Sequence, residues 1–350
     1  MMKKMNNMMQ RKDIKNYTLN ELEEKFKKNE IKKYRAAQIF YWIYNKNIIN
    51  FKDMVNIPEK LREMLLDDYY IGQLQLEKFV KSKDETEKYL FRLEDDNLIE
   101  SVLIFSNNRI TECISSQVGC KFNCLFCESG KKGFIRNLAI SEITNQVLAV
   151  KKSIKRFPNN IVFMGIGEPL DNYDNVIKAI QILNDKTAFN IGARKITIST
   201  CGIIPAIKKL QNIGWQIELS ISLHASENNL RTYLMPVNRK YPLSDLIKTC
   251  KEYTENSRRQ VTFEYILLHG INDSLKYADQ LIKLISNFNS KVNLIVFNPG
   301  INSVLQPSTS KQVVYFRNKL IAGGIPATIR KSKGSDISAA CGQLKSKYLE

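Results

Sequence analysis

Apolar positions recur at helical spacing in the first part of the chain and at strand spacing afterwards. Leu19, Leu22 and Phe26 follow Thr18, whose hydroxyl suits a helix N-cap, and this pattern predicts a first helix. A second is predicted near Tyr34 to Asn45. A third follows Pro58, a good first-turn residue, with Leu61, Met64 and Leu65 as its apolar stripe. Residues 18 to about 75 therefore read as a small helical module, and because such stripes are ordinarily core, they carry no chemistry here. Between Glu87 and Phe105 the period drops to two. Tyr89, Phe91 and Leu93, then Leu98, Glu100, Val102 and Ile104, flank Asp95-Asp96-Asn97 and predict a β-hairpin joining two domains.

From Cys113 onward, β-rich runs alternate with helix-length stretches: 113–117, Ile161–Met164, Lys195–Ser199, Ile217–Leu223, Val261–Leu267, Val292–Phe297 and a last run near Thr328. Strands separated by helix-length connections imply a parallel sheet with right-handed crossovers. Polar, chemically useful residues fall at the downstream ends of these runs: Gly165-Ile-Gly-Glu-Pro169, Ser199-Thr200, Ser222-Leu-His224 and Asn298-Pro299. That is where (β/α) barrels build their sites. The expected class is α/β, a partial (β/α)6 TIM-type barrel behind a small N-terminal helical domain.

Composition adds a partner class. The 53 Lys and Arg against 35 Asp and Glu leave a net charge of +18 over 350 residues, which suits a polyanion such as nucleic acid, although a generally Lys- and Asn-rich composition would produce the same surplus. The start, Met1 to Lys12, has basic residues (Lys3, Lys4, Arg11, Lys12) without an apolar core behind them, so it does not read as a secretory signal, and no stretch approaches a membrane span. The seven cysteines are odd in number and unevenly placed, which favours a reducing cytoplasmic setting over a disulfide framework.

The sharpest chemical signal is Cys120, Cys124 and Cys127, a C-x3-C-x2-C on the polar turn Gly119-Cys-Lys-Phe-Asn-Cys-Leu-Phe-Cys127. Three thiolates hold an iron–sulfur cube by three corners and leave one iron free for a ligand that reacts. In radical chemistry that ligand is S-adenosylmethionine, cleaved by one electron to a 5′-deoxyadenosyl radical. A structural zinc site is the alternative, but it normally takes four Cys or His ligands in paired knuckles. The two histidines, His224 and His269, are far downstream, and Cys113 would have to fold back to serve.

With these residues in hand, the chain resembles the RlmN family of radical S-adenosylmethionine rRNA and tRNA adenine methyltransferases. Cys113-Ile-Ser-Ser-Gln-Val-Gly-Cys120, Met164-Gly-Ile-Gly-Glu-Pro-Leu170, Ser222-Leu-His224, Asn298-Pro299 and Ala339-Ala-Cys-Gly-Gln-Leu344 carry the likeness. It implies an RNA-binding helical domain at 1–80, a hairpin linker at 81–105, a radical S-adenosylmethionine core at 106–336 and a tail at 337–350 bearing Cys341. It implies that Cys120, Cys124 and Cys127 hold a 4Fe-4S cluster, and that Gly167, Glu168, Ser199, Ser222, Leu223, His224 and Asn298 hold S-adenosylmethionine. Cys341 corresponds to the S-methylated cysteine, Cys113 to its redox partner and Glu100 to the proton acceptor. The implied reaction methylates adenine C2 in the peptidyl-transferase region of 23S rRNA and 3′ to the tRNA anticodon. Two molecules of S-adenosylmethionine are consumed per turnover, and an electron donor such as flavodoxin or ferredoxin is the expected protein partner of a cytoplasmic monomer.

This chemistry suits the target. Adenine C2 is electron-poor, so it does not attack a methyl sulfonium but does accept a carbon radical, here from a methyl group carried by Cys341. The resulting methylene-bridged adduct is released when Cys113 attacks the other sulfur and forms a disulfide, while Glu100 or Cys113 removes the C2 proton. The base must leave its stack to arrive, and the basic stretch Thr328-Ile-Arg-Lys-Ser-Lys-Gly334 adds positive charge nearby. Two positions depart from the family pattern. Glu128 stands where a small residue is usual and is expected to face solvent or a basic neighbour; Cys201 replaces the more usual Ser just after the Ser199 strand end, either a fifth thiol near the site or, as the ordinary reading and like Cys250, a buried inert thiol. The rival functions are the sister activity at adenine C8, which confers antibiotic resistance, and a non-catalytic iron–sulfur RNA-binding factor.

Overall fold

A computed structural model describes residues 11–299 and 303–344, so the basic start with Lys3 and Lys4, and the tail beyond Leu344, lie outside the described residues. Thr18 caps α1 (Leu19–Lys28) in a reciprocal box with Glu21. Helix α2 (Tyr34–Phe40) runs into one π-helical turn, Tyr41–Asn45, and α3 (Glu59–Asp68) follows Pro58. The apolar stripes are buried as periodicity predicts: Leu22, Phe26, Ile39, Phe40 and Leu65 are all within the core. A short parallel pair, β1 (Lys12–Asp13) with β2 (Tyr69–Tyr70), closes the module. It docks firmly on the barrel: Asn45 donates to the carbonyls of Thr187 and Ala188 at 2.7 and 2.9 Å, and Lys151 Nζ donates to the carbonyl of Asn45 at 2.7 Å.

The remainder is built on one ten-stranded sheet in the order β14-β13-β12-β11-β10-β9-β6-β5-β4-β3. Strands β3 (Gln75–Lys81), β4 (Glu87–Arg92), β5 (Leu98–Ser106) and β6 (Arg109–Cys113) form an antiparallel meander. From β6 the sheet continues in parallel through β9 (Asn160–Phe163), β10 (Ile196–Thr200), β11 (Glu218–Ser222), β12 (Val261–Leu267), β13 (Ser290–Val296) and β14 (Ala327–Arg330). Helices α4 (Ile140–Ile154), α5 (Tyr173–Asn184), α6 (Ile204–Gln211), α7 (Asn228–Leu234), α8 (Leu243–Ser257), α9 (Leu275–Ile285) and α10 (Ser310–Ala322) make the crossovers. The parallel part is a partial barrel, because β14 ends the sheet on one side while the meander extends it on the other. No helix among the described residues is long and apolar enough to cross a membrane.

Two local expectations shift. The run at 113–117 is not a strand: the strand ends at Cys113, and the next residues cross toward β9, with Ile114 N–H donating to the Val162 carbonyl at 3.0 Å and Ser116 N–H to the Ile166 carbonyl at 2.9 Å. Cys113 therefore sits at the C-terminal edge of a barrel strand. The hairpin expected as a connector is present, but β5 pairs with β6 and β3 adds to its other side, so the whole meander extends the barrel sheet. Strand β3 lies inside residues read as part of the helical module; as a largely exposed edge strand it carries no clear in–out alternation.

Candidate active site

The cysteine turn leaves β7 (Gln117–Gly119) and returns through β8 (Phe134–Asn137), a separate two-stranded ribbon above the barrel mouth. Gly119 adopts φ +74°, and a Cβ there would meet the Gly133 carbonyl oxygen, so the turn requires glycine. Cys120 N–H donates to that same carbonyl at 3.0 Å, and Leu125 N–H bonds the Leu234 carbonyl at 2.9 Å, which pins the turn at both ends. Cys120, Cys124 and Cys127 are half-buried and line one cavity. Burial and the neighbouring thiols raise the Cys124 pKa, and burial raises that of Cys120 to about 12. Three such thiolates need a cationic group among them to stay ionised. In a cluster each thiolate binds its own iron, so three cysteines lining one cavity need not converge on a single ion. The donor set fits three corners of a 4Fe-4S group.

Strand ends supply the rest of the wall. Gly165, Gly167 and Glu168 follow β9, Ser199 ends β10, and Ser222 and His224 end β11; all line the cysteine cavity. Gly167 has φ +102°, and a Cβ would lie 2.5 Å from Gln117 Cβ, so only glycine lets the strand-end loop pass beneath the ribbon. Glu168 is buried, and its two oxygens accept from Leu170 N–H at 2.9 Å and Cys201 N–H at 2.7 Å. His224, at φ +58°, accepts from Ile266 N–H through Nδ1 at 3.0 Å and lies edge-on to Phe126 at 4.6 Å. Burial depresses it to about 3, so it is a neutral imidazole.

The tail brings Cys341 to the same cavity, where the thiol is exposed to the open space. Glu128 N–H donates to the Gly342 carbonyl at 2.8 Å and Ser129 Oγ to the Leu344 carbonyl at 2.8 Å, so the cysteine turn itself holds the tail. The Glu128 carboxylate turns to Lys131 at 2.6 Å, a basic neighbour as expected. Cys113 is buried in an apolar cluster with Val102, Ile166, Ala339 and Leu344, directly under the tail. Burial lifts its thiol to about 12. All seven cysteines are free thiols, so no Cys113–Cys341 disulfide is present. Glu100, one strand over on the Cys113 side of the sheet, forms a buried ion pair with Lys88 at 3.1 Å, their side chains 1% and 2% exposed. Lys88 Nζ also donates to the Ser338 carbonyl at 3.2 Å, linking this pair to the tail.

Two of the expected ligand positions stand apart from that cavity. Asn298 donates to Ser332 Oγ at 2.9 Å and borders the barrel lumen instead. The Leu223 side chain is buried in the core, and its backbone carbonyl accepts from Arg231 Nε at 3.3 Å. Cys201 and Cys250 are both buried; Cys201 also lines the cysteine cavity, a fifth thiol at the site, whereas Cys250 does not. Sequence reasoning missed Arg231, which is wholly buried and donates to the Cys201 carbonyl at 2.7 Å, tying the ends of β10 and β11 together. It also missed Gln117, which accepts from Glu168 N–H at 2.9 Å, and Glu264 and Arg330 in the wall. Glu264 had a visible signal: it is the lone charge in the wholly buried strand Val261–Leu267.

Residues 114–282 match the family model described as the Radical SAM superfamily, and residues 12–71 match the Ribosomal RNA large subunit methyltransferase N-terminal domain. The chain is 46% identical over 339 residues to the Probable dual-specificity RNA methyltransferase RlmN of Clostridium novyi, covering 97% of this chain and 99% of that one. It is 43% identical over 356 residues to the Dual-specificity RNA methyltransferase RlmN of Campylobacter hominis, covering 97% and 98%. Among solved structures, a radical SAM methyltransferase from Sphaerobacter thermophilus superposes with a TM-score of 0.90 at 40% identity, over 96% of this chain and 100% of the other.

Proposed function

Because the chain belongs to the RlmN family of radical S-adenosylmethionine enzymes, we propose that it is a dual-specificity RNA methyltransferase acting at C2 of adenine, in 23S rRNA and next to the tRNA anticodon. The observation that carries this reading is the position of Cys341: the tail thiol opens into the cavity lined by Cys120, Cys124 and Cys127, with Cys113 buried beneath the same tail. A 4Fe-4S cluster held by those three cysteines supplies, with S-adenosylmethionine, the radical that activates a methyl group. Gly167, Glu168, Ser199, Ser222 and His224 shape the pocket for the adenosyl and methionyl parts; Leu223 and Asn298 remain in that proposed set through their backbone and the adjoining lumen.

The Cys341 thiolate would take the methyl group of one S-adenosylmethionine by displacement at the methyl carbon, S-adenosylhomocysteine leaving. A second molecule would be the source of the radical that removes one hydrogen atom from that methyl group. Once the methylene carbon has bonded to C2, the adduct radical gives up one electron, which would return to the cluster, together with the C2 proton, and the closed-shell adduct then has to open. Glu100 is the proposed proton acceptor, paired with Lys88 at 3.1 Å beside the tail. Cys113 attacks the Cys341 sulfur as a thiolate; the carbon–sulfur bond breaks with its electron pair going to the methylene carbon, which takes up a proton to become the methyl group, and a Cys113–Cys341 disulfide forms. External reductant, from an electron donor such as flavodoxin or ferredoxin, restores both thiols. The basic surplus of the chain and the helical module at its start suit the RNA.

The test is nucleoside mass spectrometry of RNA treated with reconstituted enzyme, together with the cysteine variants. The expected product is 2-methyladenosine, and 8-methyladenosine as the main product would transfer the chain to the sister activity. Cys113→Ala is expected to accumulate a covalent protein–RNA adduct and Cys341→Ala to form none. Equal adduct in both variants, or none in either, would remove the two-thiol mechanism.

A further inference from the structure

Two cavities meet at Cys341. One is the cysteine-lined pocket; the other is the polar lumen of the partial barrel, which extends from Thr111 and Lys291 up to the tail. Both are bordered by Met164, Glu264, Ile295, Arg330 and Cys341. Along β12, Ile266 faces only the cysteine pocket and Thr262 only the lumen, so Glu264 marks the level at which the two spaces join.

Glu264 is 3% exposed; Asn293 bonds one oxygen, and the Ser220 hydroxyl and the Arg330 guanidinium also face the carboxylate. Thr328 Oγ1 donates to Asn293 Oδ1 at 2.7 Å, and Asn293 Nδ2 donates to Glu264 Oε1 at 3.0 Å. This relay takes one residue from each of β14, β13 and β12 and fixes the carboxylate. The second oxygen, Oε2, is buried without a hydrogen-bond partner. Arg330, at the same level, places Nη1 against Met164 Sδ at 3.4 Å. A buried carboxylate oxygen without a donor is costly, and its position between two cavities marks it as a place where a ligand supplies the donor.

We propose that Glu264 Oε2 accepts a hydrogen bond from the exocyclic amine of the base being methylated, and that this base sits where the two cavities join. The proposal rests on the reading of Cys341 as the methyl carrier. A base that reaches a methyl group on Cys341 has to lie at the level of Cys341. There, Met164 and Ile295 offer apolar surface for the ring faces, and Glu264 offers a fixed acceptor for an edge. Adenine presents only its amine as an exocyclic donor; its ring nitrogens N1, N3 and N7 carry lone pairs that a carboxylate repels. The pairing therefore orients the ring as well as selecting it, and a base with a carbonyl in place of the amine meets oxygen against oxygen. Glu264 is a specificity residue in this account, separate from the thiols and from Glu100.

The experiment compares RNA hairpins carrying adenosine or purine riboside, which lacks the amine, at the target position, with anaerobically reconstituted wild type, Glu264→Gln and Glu264→Ala. Wild type is expected to lose about 10- to 100-fold in kcat/KM, and a similar factor in RNA affinity without reductant, on removal of the amine. In Glu264→Ala the two RNAs should become nearly equal, with Glu264→Gln in between and with a preserved volume that guards against misfolding. Methylation of Cys341 during expression, read from the mass of its peptide, should persist in both variants. Unchanged discrimination in Glu264→Ala would overturn the proposal. So would loss of Cys341 methylation together with S-adenosylmethionine affinity in Glu264→Gln, since Glu264 would then serve the cofactor. A wild type that transfers methyl to neither RNA while Cys341 stays unmethylated would fail earlier, at the reading of Cys341 itself.

Discussion

Arg231 shows how a single buried charge can organise a site it never enters. Its Nη1 donates to Asn238 Oδ1 at 2.8 Å, Nη2 to the Cys201 carbonyl at 2.7 Å and Nε to the Leu223 carbonyl at 3.3 Å, all away from solvent. Those carbonyls close the strands that carry Ser199 and Ser222. Replacing Arg231 by Met removes donors from buried acceptors, and Arg231→Met is expected to lower stability by about 3 kcal/mol, read as a fall in denaturation midpoint. Glu112 has the opposite character. It is fully buried on β6 beside Cys113, the Ser101 hydroxyl offsets only a small part of that burial, and its pKa is lifted to about 8. The folded state thus holds a proton that the unfolded chain releases near its ordinary carboxyl pKa, so this residue's contribution to stability falls as pH rises from about 4.5 toward 8. Glu112→Gln is expected to flatten that decline, and a variant whose stability follows the wild-type pH curve would contradict it. The state of Glu112 is not legible from residue type alone, because it looks like any strand glutamate until its neighbours are known, whereas Glu264 stands out as the lone charge in an apolar run.

At the scale of elements, the local code was largely readable. Thr18 caps the helix that its position predicts, and β12 spans Val261–Leu267 as the apolar run indicates. The Asp95-Asp96-Asn97 turn separates β4 from β5, with Asp96 at φ +62°. These succeed because capping, turn geometry and burial periodicity act within a few residues. The first barrel strand ends before the run 113–117 suggests, because Ile114–Ser116 is buried like a strand while its backbone bonds run to Val162 and Ile166 outside a regular ladder. Strand β3 was hidden for the converse reason, its side chains being mostly exposed at the sheet edge. Glycine at 167 belongs to this scale too. Gly167→Ala forces a Cβ against Gln117 at a left-handed φ, and because Gln117 supports Glu168 N–H, the variant is expected to lose about 1–3 kcal/mol of stability and to bind S-adenosylmethionine more weakly by calorimetry.

Over the whole molecule, the tail is positioned from both ends of the fold. Ser82 Oγ donates to Asp336 Oδ1 at 2.6 Å, Lys83 N–H to Asp336 Oδ2 at 3.2 Å, and Gly334 N–H to Asp84 Oδ2 at 3.0 Å, so the β3–β4 turn anchors the approach to Cys341. Past Cys341 the cysteine turn holds Gly342 and Leu344. Asp336→Ala is expected to speed amide exchange across 334–344 and the alkylation of Cys341, with the barrel strands unchanged; equal rates would show that the cysteine turn alone holds the tail. The amino-acid sequence by itself determined the helical module, the strand–helix alternation and the three-thiol turn, since each depends on spacing within one short segment. Tertiary structure decided that Cys113 lies beneath the tail that carries Cys341, that the edge hairpin reaches that tail, and that Asn298 faces the lumen. Those outcomes follow from parallel strands that bring distant segments to one barrel mouth, where burial and electrostatics depend on contacts between residues far apart in the chain.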